Sequence, residues 1–343
     1  MSVEPPGAVI RNLQALRGIA ALMVVLYHTR TWEETPGLFD VLGDWGQAGV
    51  DIFFVISGFI MALTTSTKAV GPLAFLRNRA VRIIPIYWLY TALFAALILA
   101  FPALLSNSVF DPLHILSSLG LFAQTLYDFP ILTVGWTLEF EALFYLVFAA
   151  ALILPQVTGR LVLVMAVLGL AVALGGSAML LEFAFGIGAA LAYMHLPRIA
   201  PAVLFALGVV LLLSSIAFPD HLPRAIAWGL PAALIVYGAA CLPPLVPSFA
   251  VTLGDASYSI YLVHVFTVKA AAEFLDGPLA SIVGTLASIA AGYLSYVAIE
   301  RPIIDFARRS RRRNGSTDPH IAPAMVEGPA DRGSTGHDRG SPV

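Results

Sequence analysis

The chain has 343 residues, 59% of them apolar and only 12% charged, against about 45–50% apolar and about 25% charged in a typical soluble domain. Such sparse charge cannot cover a water-soluble fold of 36.5 kDa, and a mean hydropathy of +0.85 places the chain among all-α, multi-spanning integral membrane proteins. The net charge of −2 gives no footprint for nucleic acid, the single Cys241 excludes an intramolecular disulfide or CxxC pair, and the histidines at 28, 114, 195, 221, 264, 320 and 337 show no metal-ligand spacing.

An apolar helix needs roughly 20 residues to cross the hydrocarbon. Runs that meet this need lie near 13–30, 46–66, 82–102, 134–154, 160–176, 178–195, 201–217, 223–241, 253–273 and 279–299. They predict a polytopic bundle of about ten transmembrane helices. The run at 113–126 is shorter and carries His114 with three polar side chains, so it is read as re-entrant or interfacial. With ten spans, Lys68, Arg77, Arg79, Arg82, Arg160, Arg198 and the arginines at 301–313 share one side with both termini, while Glu33, Glu34, Asp40, Asp44, Asp111, Asp128 and Asp220 lie opposite. The positive-inside rule makes the first side cytoplasmic. An eleventh span at 113–126 would reverse the tail. Residues 1–305 are expected to form the membrane domain, with a basic and then disordered tail over 306–343.

The first run, LQALRGIAALMVVLYH, is not expected to be a cleaved signal peptide, because Arg17 interrupts it and no small-x-small site follows His28. Ionisable groups inside a bilayer are costly and are functional candidates by default. Arg17 and His28 are 11 residues apart, about three turns, so they share a helix face and stand roughly 16 Å apart along its axis. Each taken alone could equally be an interfacial residue, Arg17 snorkelling to the cytoplasmic surface.

In AGVDIFFVISGFIM, Asp51 reads first as a helix cap, and Ser57-Gly58 would permit close helix packing. FLRNRAVRIIPIYW places Arg77, Arg79 and Arg82 just before the third run, with Pro85 in its first turns. Such a cluster is a topology signal on composition alone, and it also suits phosphate, which arginine forks grip bidentately. GWTLEFEALFYLVF carries Glu139 and Glu141, which point about 200° apart, so only one of them can face the interior. Glu182 reads as structural. LGDASYSIYLVHVF offers Asp255 or Ser257 as an N-cap, and its His264, set among aromatic residues, reads as packing.

Six phrases in this order, LQALRGIAALMVVLYH, DIFFVISGFIM, RNRAVRIIPIYW, GWTLEFEALFYL, LGDASYSIYLVH and IERP, resemble the acyltransferase-3 family of membrane proteins over about residues 10–305. The chain is similar to bacterial exopolysaccharide O-acetyltransferases. The family's arginine-x10-histidine signature falls on Arg17 and His28, its RxxR motif on Arg79 and Arg82, and the carboxylate of its W-T/S-L-x-x-E phrase on Glu141. Two departures stand out. Ala142 follows Glu141 where many members have a second acidic residue, and no soluble esterase-like domain follows the last span.

The resemblance implies an O-acyltransferase of a bacterial inner membrane with acetyl-CoA, or another acyl-CoA, as donor substrate. It implies a polysaccharide or lipid-linked glycan hydroxyl as acceptor, and no permanently bound cofactor or metal. Arg79 and Arg82 would receive the donor's phosphates, with Arg17 beside them. His28 would act as general base or carry the acyl group transiently, and Glu141 would orient or charge-stabilise its imidazole. A secondary transporter, or a non-catalytic component of glycan export, remains the alternative. A transporter of this size would more often show repeated halves, which the sequence lacks.

Overall fold

The computed structural model describes residues 6–30, 45–67, 69–101, 111–215, 222–244 and 246–313. The acidic residues at 33–44, Lys68, Asp220 and the tail beyond 313, all used above for topology, lie outside them. Among the described residues every regular element is helical. The helices are α1 (Pro6–His28), α2 (Ala48–Thr67), α3 (Pro72–Ala100), α4 (Pro112–Leu119), α5 (Trp136–Ala151), α6 (Val157–Ala173), α7 (Leu180–His195), α8 (Pro201–Ser214), α9 (Leu230–Cys241), α10 (Ser248–Asp255), α11 (Ser257–Phe274), α12 (Gly277–Ser295) and α13 (Arg301–Arg313). Proline opens α1, α3, α4 and α8, where its missing N–H is one the first turn leaves unbonded anyway.

Eight of the ten apolar runs expected to span lie largely on one of these helices, while 223–241 combines the π-turn Ala225–Gly229 with α9 and 253–273 crosses the break between α10 and α11. Four helical stretches, Ala48–Thr67, Pro72–Ala100, Thr133–Ala151 and Gly277–Ser310, are long and apolar enough to cross a membrane singly. A fifth crossing is made if α10 and α11, bent by 67° at their junction, count as one span. The helices at 157–173, 180–195, 201–214 and 225–241 are apolar but shorter. Outward-facing Leu89, Leu93, Leu146, Val162, Leu163, Leu207, Val210, Leu286 and Leu294 are exposed, a belt that only lipid would cover.

Three local expectations are corrected. The third helix starts at Pro72, ten residues earlier than the apolar run, so Arg77, Arg79 and Arg82 lie on the helix and Pro85 is inside it. Hydropathy marks where a helix becomes apolar, whereas Pro72 marks where it begins. Asp51 is the fourth residue of α2 and pairs with an arginine rather than capping. Asp255 ends α10, and α11 starts with no side-chain cap from it or Ser257.

The hub of the bundle is α1, which packs on α2, α9, α10, α11 and α12. The approach to α10 is close: a Cβ on Gly254 would lie 1.8 Å from the Gln14 carbonyl oxygen. The α2–α7 contact is equally tight. A Cβ on Gly58 would stand 2.1 Å from the Phe183 carbonyl oxygen, and one on Gly186 equally near that of Val55. Without a hydrophobic drive between helices in lipid, such small residues let backbones pack closely.

Candidate active site

The family-motif residues separate into two groups along α1. At the Arg17 level, one Arg17 guanidinium nitrogen donates to Gln14 Oε1 at 3.2 Å, and Gln14 Nε2 donates to Asp255 Oδ1 at 2.5 Å. The α10–α11 break brings Asp255 here. Arg79 lies over the rings of Phe75 and Tyr145, 5.9 and 6.0 Å from their centroids, and its Nε has no hydrogen-bond partner. The charge of Arg82 acts on Arg17, Arg79, Asp255 and Glu300, and that of Glu141 on Arg17 and Arg79. Three arginines and three carboxylates thus lie within electrostatic reach of one another.

Glu141 accepts hydrogen bonds from Ser57 Oγ at 3.1 Å and from the Tyr145 hydroxyl one turn further along α5. It is not bonded to the His28 imidazole, so the expected carboxylate–imidazole contact is absent. Spacing could show only that Glu139 and Glu141 point apart. Glu139 turns instead to the segment after α4, where its oxygens accept the backbone N–H groups of Ala123 and Gln124 at 2.8 and 3.0 Å.

A cavity of about 70 Å³ opens between these groups, walled by Phe53, Phe54, Leu138 and Val50 and edged by Arg17, Ser57, Glu141 and Ser257. Ser257 Oγ is buried there without a hydrogen-bond partner. Tyr258 and Tyr261 close the cavity on the α11 side. The Tyr258 hydroxyl donates to the Ile83 carbonyl at 2.8 Å and the Tyr261 hydroxyl to that of Val134 at 2.7 Å. Behind them Ser259 Oγ donates to Glu300 Oε2 at 2.6 Å. This is an apolar chamber with a few fixed polar groups, the usual build of a small-molecule site.

His28 ends α1 away from that cluster. Its ring is exposed, and its Nδ1 stands 2.8 Å from the Val24 carbonyl oxygen and 3.3 Å from Nε2 of His264. His28 Nε2 has no hydrogen-bond partner among the described residues. His264 is fully buried on α11, one turn beyond Tyr261, whose ring lies 5.8 Å away. The sequence expectation of a merely packed His264 missed this contact, since 236 residues separate the two histidines and nothing in either phrase points to the other.

A second polar site joins α2, α7 and the π-turn Ala225–Gly229. Arg224 grips Asp51 with two nitrogens, at 2.8 and 3.2 Å, and stacks over Trp228 at 4.4 Å. Glu182 is buried beside them with both oxygens unpartnered. Arg160, expected to mark a cytoplasmic loop, is itself buried and donates to the Thr65 carbonyl at 2.6 Å. Among the described residues no cluster of three or more His, Cys, Asp or Glu could hold a metal ion.

A family model described as an acyltransferase domain matches residues 10–300. The exopolysaccharide production protein ExoZ of Rhizobium meliloti is 36% identical over 301 residues, 78% of this chain and 92% of that protein. BcsY of Komagataeibacter xylinus, provisionally named a membrane-bound transacylase, is 27% identical over 88% of this chain and 84% of its own length. Protein 2 in the picA locus of Rhizobium radiobacter is 33% identical over 37% of this chain and 64% of its own. No solved structure matches the chain.

Proposed function

The chain belongs to the acyltransferase-3 family of membrane enzymes, and from that premise we propose that it moves an acetyl or other short acyl group from acyl-CoA to a hydroxyl of an exported polysaccharide. The observation that carries this reading is His28: an exposed residue at the end of α1, its ring held through Nδ1 and its Nε2 without a hydrogen-bond partner among the described residues, on the helix face that also carries Arg17. An acceptor glycan is favoured by the likeness to a protein named for exopolysaccharide production.

In the reaction the acceptor oxygen bonds to the thioester carbonyl carbon while its proton passes to His28 Nε2. The carbon–sulfur bond then breaks, and the departing thiolate takes that proton, leaving the ester and free CoA. Arg79 and Arg82 hold the donor's phosphates. Arg17, braced by Gln14 and facing Glu141 across the cavity, lines the route of the thioester arm. About 16 Å of α1 lies between Arg17 and His28, which sets donor recognition and chemistry at different depths. The arginine-rich Arg301–Arg313 supports a cytoplasmic C-terminus in a bacterial inner membrane.

The test is the acetyl content of surface polysaccharide from cells carrying wild type, His28→Ala or no protein, with membrane levels matched by blot. Acetyl lost in both the mutant and the empty strain is the expected result. Equal acetyl in all three removes glycan acetylation as the function. An acetyl-enzyme trapped by rapid quench in wild type and missing from His28→Ala would replace the general-base step by a covalent one.

A further inference from the structure

His264 closes the phrase LGDASYSIYLVH but has no role in the site described above, yet it makes the closest side-chain polar contact to His28 among the described residues. We propose that His264 is a positioning residue for the acyl transfer: its Nε2 lone pair accepts from His28 Nδ1–H, fixing the tautomer that leaves His28 Nε2 bare toward the acceptor hydroxyl. The proposal rests on the transferase reading above and adds a residue to it.

One neighbour selects both tautomers. A carbonyl oxygen only accepts, so the 2.8 Å contact to the Val24 carbonyl favours the proton on His28 Nδ1. With that nitrogen a donor, the His264 Nε2 at 3.3 Å must present its lone pair. His264 then carries its own proton on Nδ1. That atom is buried without a hydrogen-bond partner, near the backbone of Ile260 and Tyr261 on the preceding turn. The reverse assignment would set the lone pair of His28 Nδ1 against the carbonyl oxygen. Which ring nitrogen carries the proton is inferred from partners, and here the Val24 carbonyl beside His28 Nδ1 makes the assignment for the pair.

The ring of His264 has little freedom to do otherwise. It is completely buried, its centroid is 4.8 Å from that of His28, and Tyr261 on the preceding turn lies against it. Its backbone carbonyl accepts from Thr267 Oγ at 3.2 Å, and Thr267 shares a 2.7 Å hydrogen bond with Ser288 of α12. When His28 Nε2 takes the acceptor's proton, the imidazolium formed still donates through Nδ1 to Val24 and His264. The charge is therefore stabilised without an ionised carboxylate at the site. His264 also stands one turn from Tyr261 on the cavity wall, so the start of α11 ties the reacting imidazole to the chamber edged by Arg17.

The experiment compares wild type with His264→Leu, which keeps bulk and removes the acceptor, and His264→Gln, whose amide oxygen can accept in the same place. Each is prepared in nanodiscs with ¹⁵N-labelled histidine at matched folded amounts. The expected result is that His28 in wild type gives the Nδ1–H, bare-Nε2 pattern in ¹⁵N spectra, and that in His264→Leu, left with the Val24 carbonyl alone, the share of that tautomer falls measurably. With acetyl-CoA as donor, kcat falls about tenfold or more in His264→Leu at unchanged KM for acetyl-CoA, and His264→Gln restores most of it. A wild-type His28 protonated on Nε2, or a His264→Leu protein with wild-type kcat, overturns the proposal. Wild type that shows the stated tautomer but transfers nothing from acetyl-CoA upholds the histidine pair and overturns acetyl-CoA as the donor instead.

Discussion

Ser57 of α2 donates to Glu141 of α5 at 3.1 Å, and the Tyr145 hydroxyl donates to the same carboxylate oxygen. Two donors on one oxygen hold the carboxylate against the cavity edge that it shares with Arg17. Glu141→Gln keeps the shape and removes the charge that Arg17 and Arg79 feel. Transfer from acetyl-CoA is expected to fall about tenfold or more, since fixed charges in a water-poor site are worth far more than in water. Ser57→Ala, which leaves Tyr145 in place, should cost less. Initial rates in membranes at matched protein levels check this, and wild-type rates in Glu141→Gln would remove Glu141 from the machinery.

Arg82→Gln should raise the apparent KM for acetyl-CoA about tenfold, the scale of one lost charge-assisted hydrogen bond, with kcat little changed. Arg79→Gln should raise KM similarly and also lower thermal stability, because Arg79 lies on the Phe75 and Tyr145 rings. Donor titrations with melting curves separate the two effects. An unchanged KM in both would leave these arginines as topology signals.

Arg224→Ala strands Asp51, fully buried, beside the buried Glu182. Removing one partner of a buried pair costs about 3–5 kcal/mol, and the lower end applies because the Arg224 side chain is 28% exposed. The double variant Asp51→Asn/Arg224→Gln should recover most of that loss. Midpoints of thermal inactivation in detergent test the pair, and a double variant no better than Arg224→Ala would count against it.

Gly186→Val should strongly reduce folded protein. A Cβ there would stand 2.1 Å from the Val55 carbonyl oxygen, and overpacking of this kind costs about 1–3 kcal/mol or more. Gly188→Val, two residues along α7, meets only the Met165 methyl at 3.9 Å and should be tolerated. Size-exclusion profiles of the two variants provide the comparison, and similar profiles would show that α7 can shift away from α2.

Much of the frame was legible residue by residue. Each apolar run of about 20 residues is a local property, and each is largely helical, although 223–241 and 253–273 are each divided between two elements. The Arg17–His28 spacing put both on one face of α1, and Ser57-Gly58 marked a close helix contact that Gly58 and Phe183 make. Helix ends were less legible. Arg77–Arg82 looked like a loop before a span because charge interrupts hydropathy there, although the helix had already begun at Pro72.

The sequence alone determined the membrane class, the helical elements and, through six ordered phrases, the acyltransferase family. Tertiary structure decided which side chains meet: His28 with His264, Asp51 with Arg224 across 173 residues, and Glu141 with Ser57 rather than with an imidazole. The reason lies in the solvent. In water a helix shows its buried face by apolar periodicity, but in lipid the faces toward the core and toward the bilayer are both apolar. Periodicity along one helix therefore cannot say which neighbour its few polar groups will find, and only the packing of α1 among its partners selects the pairs.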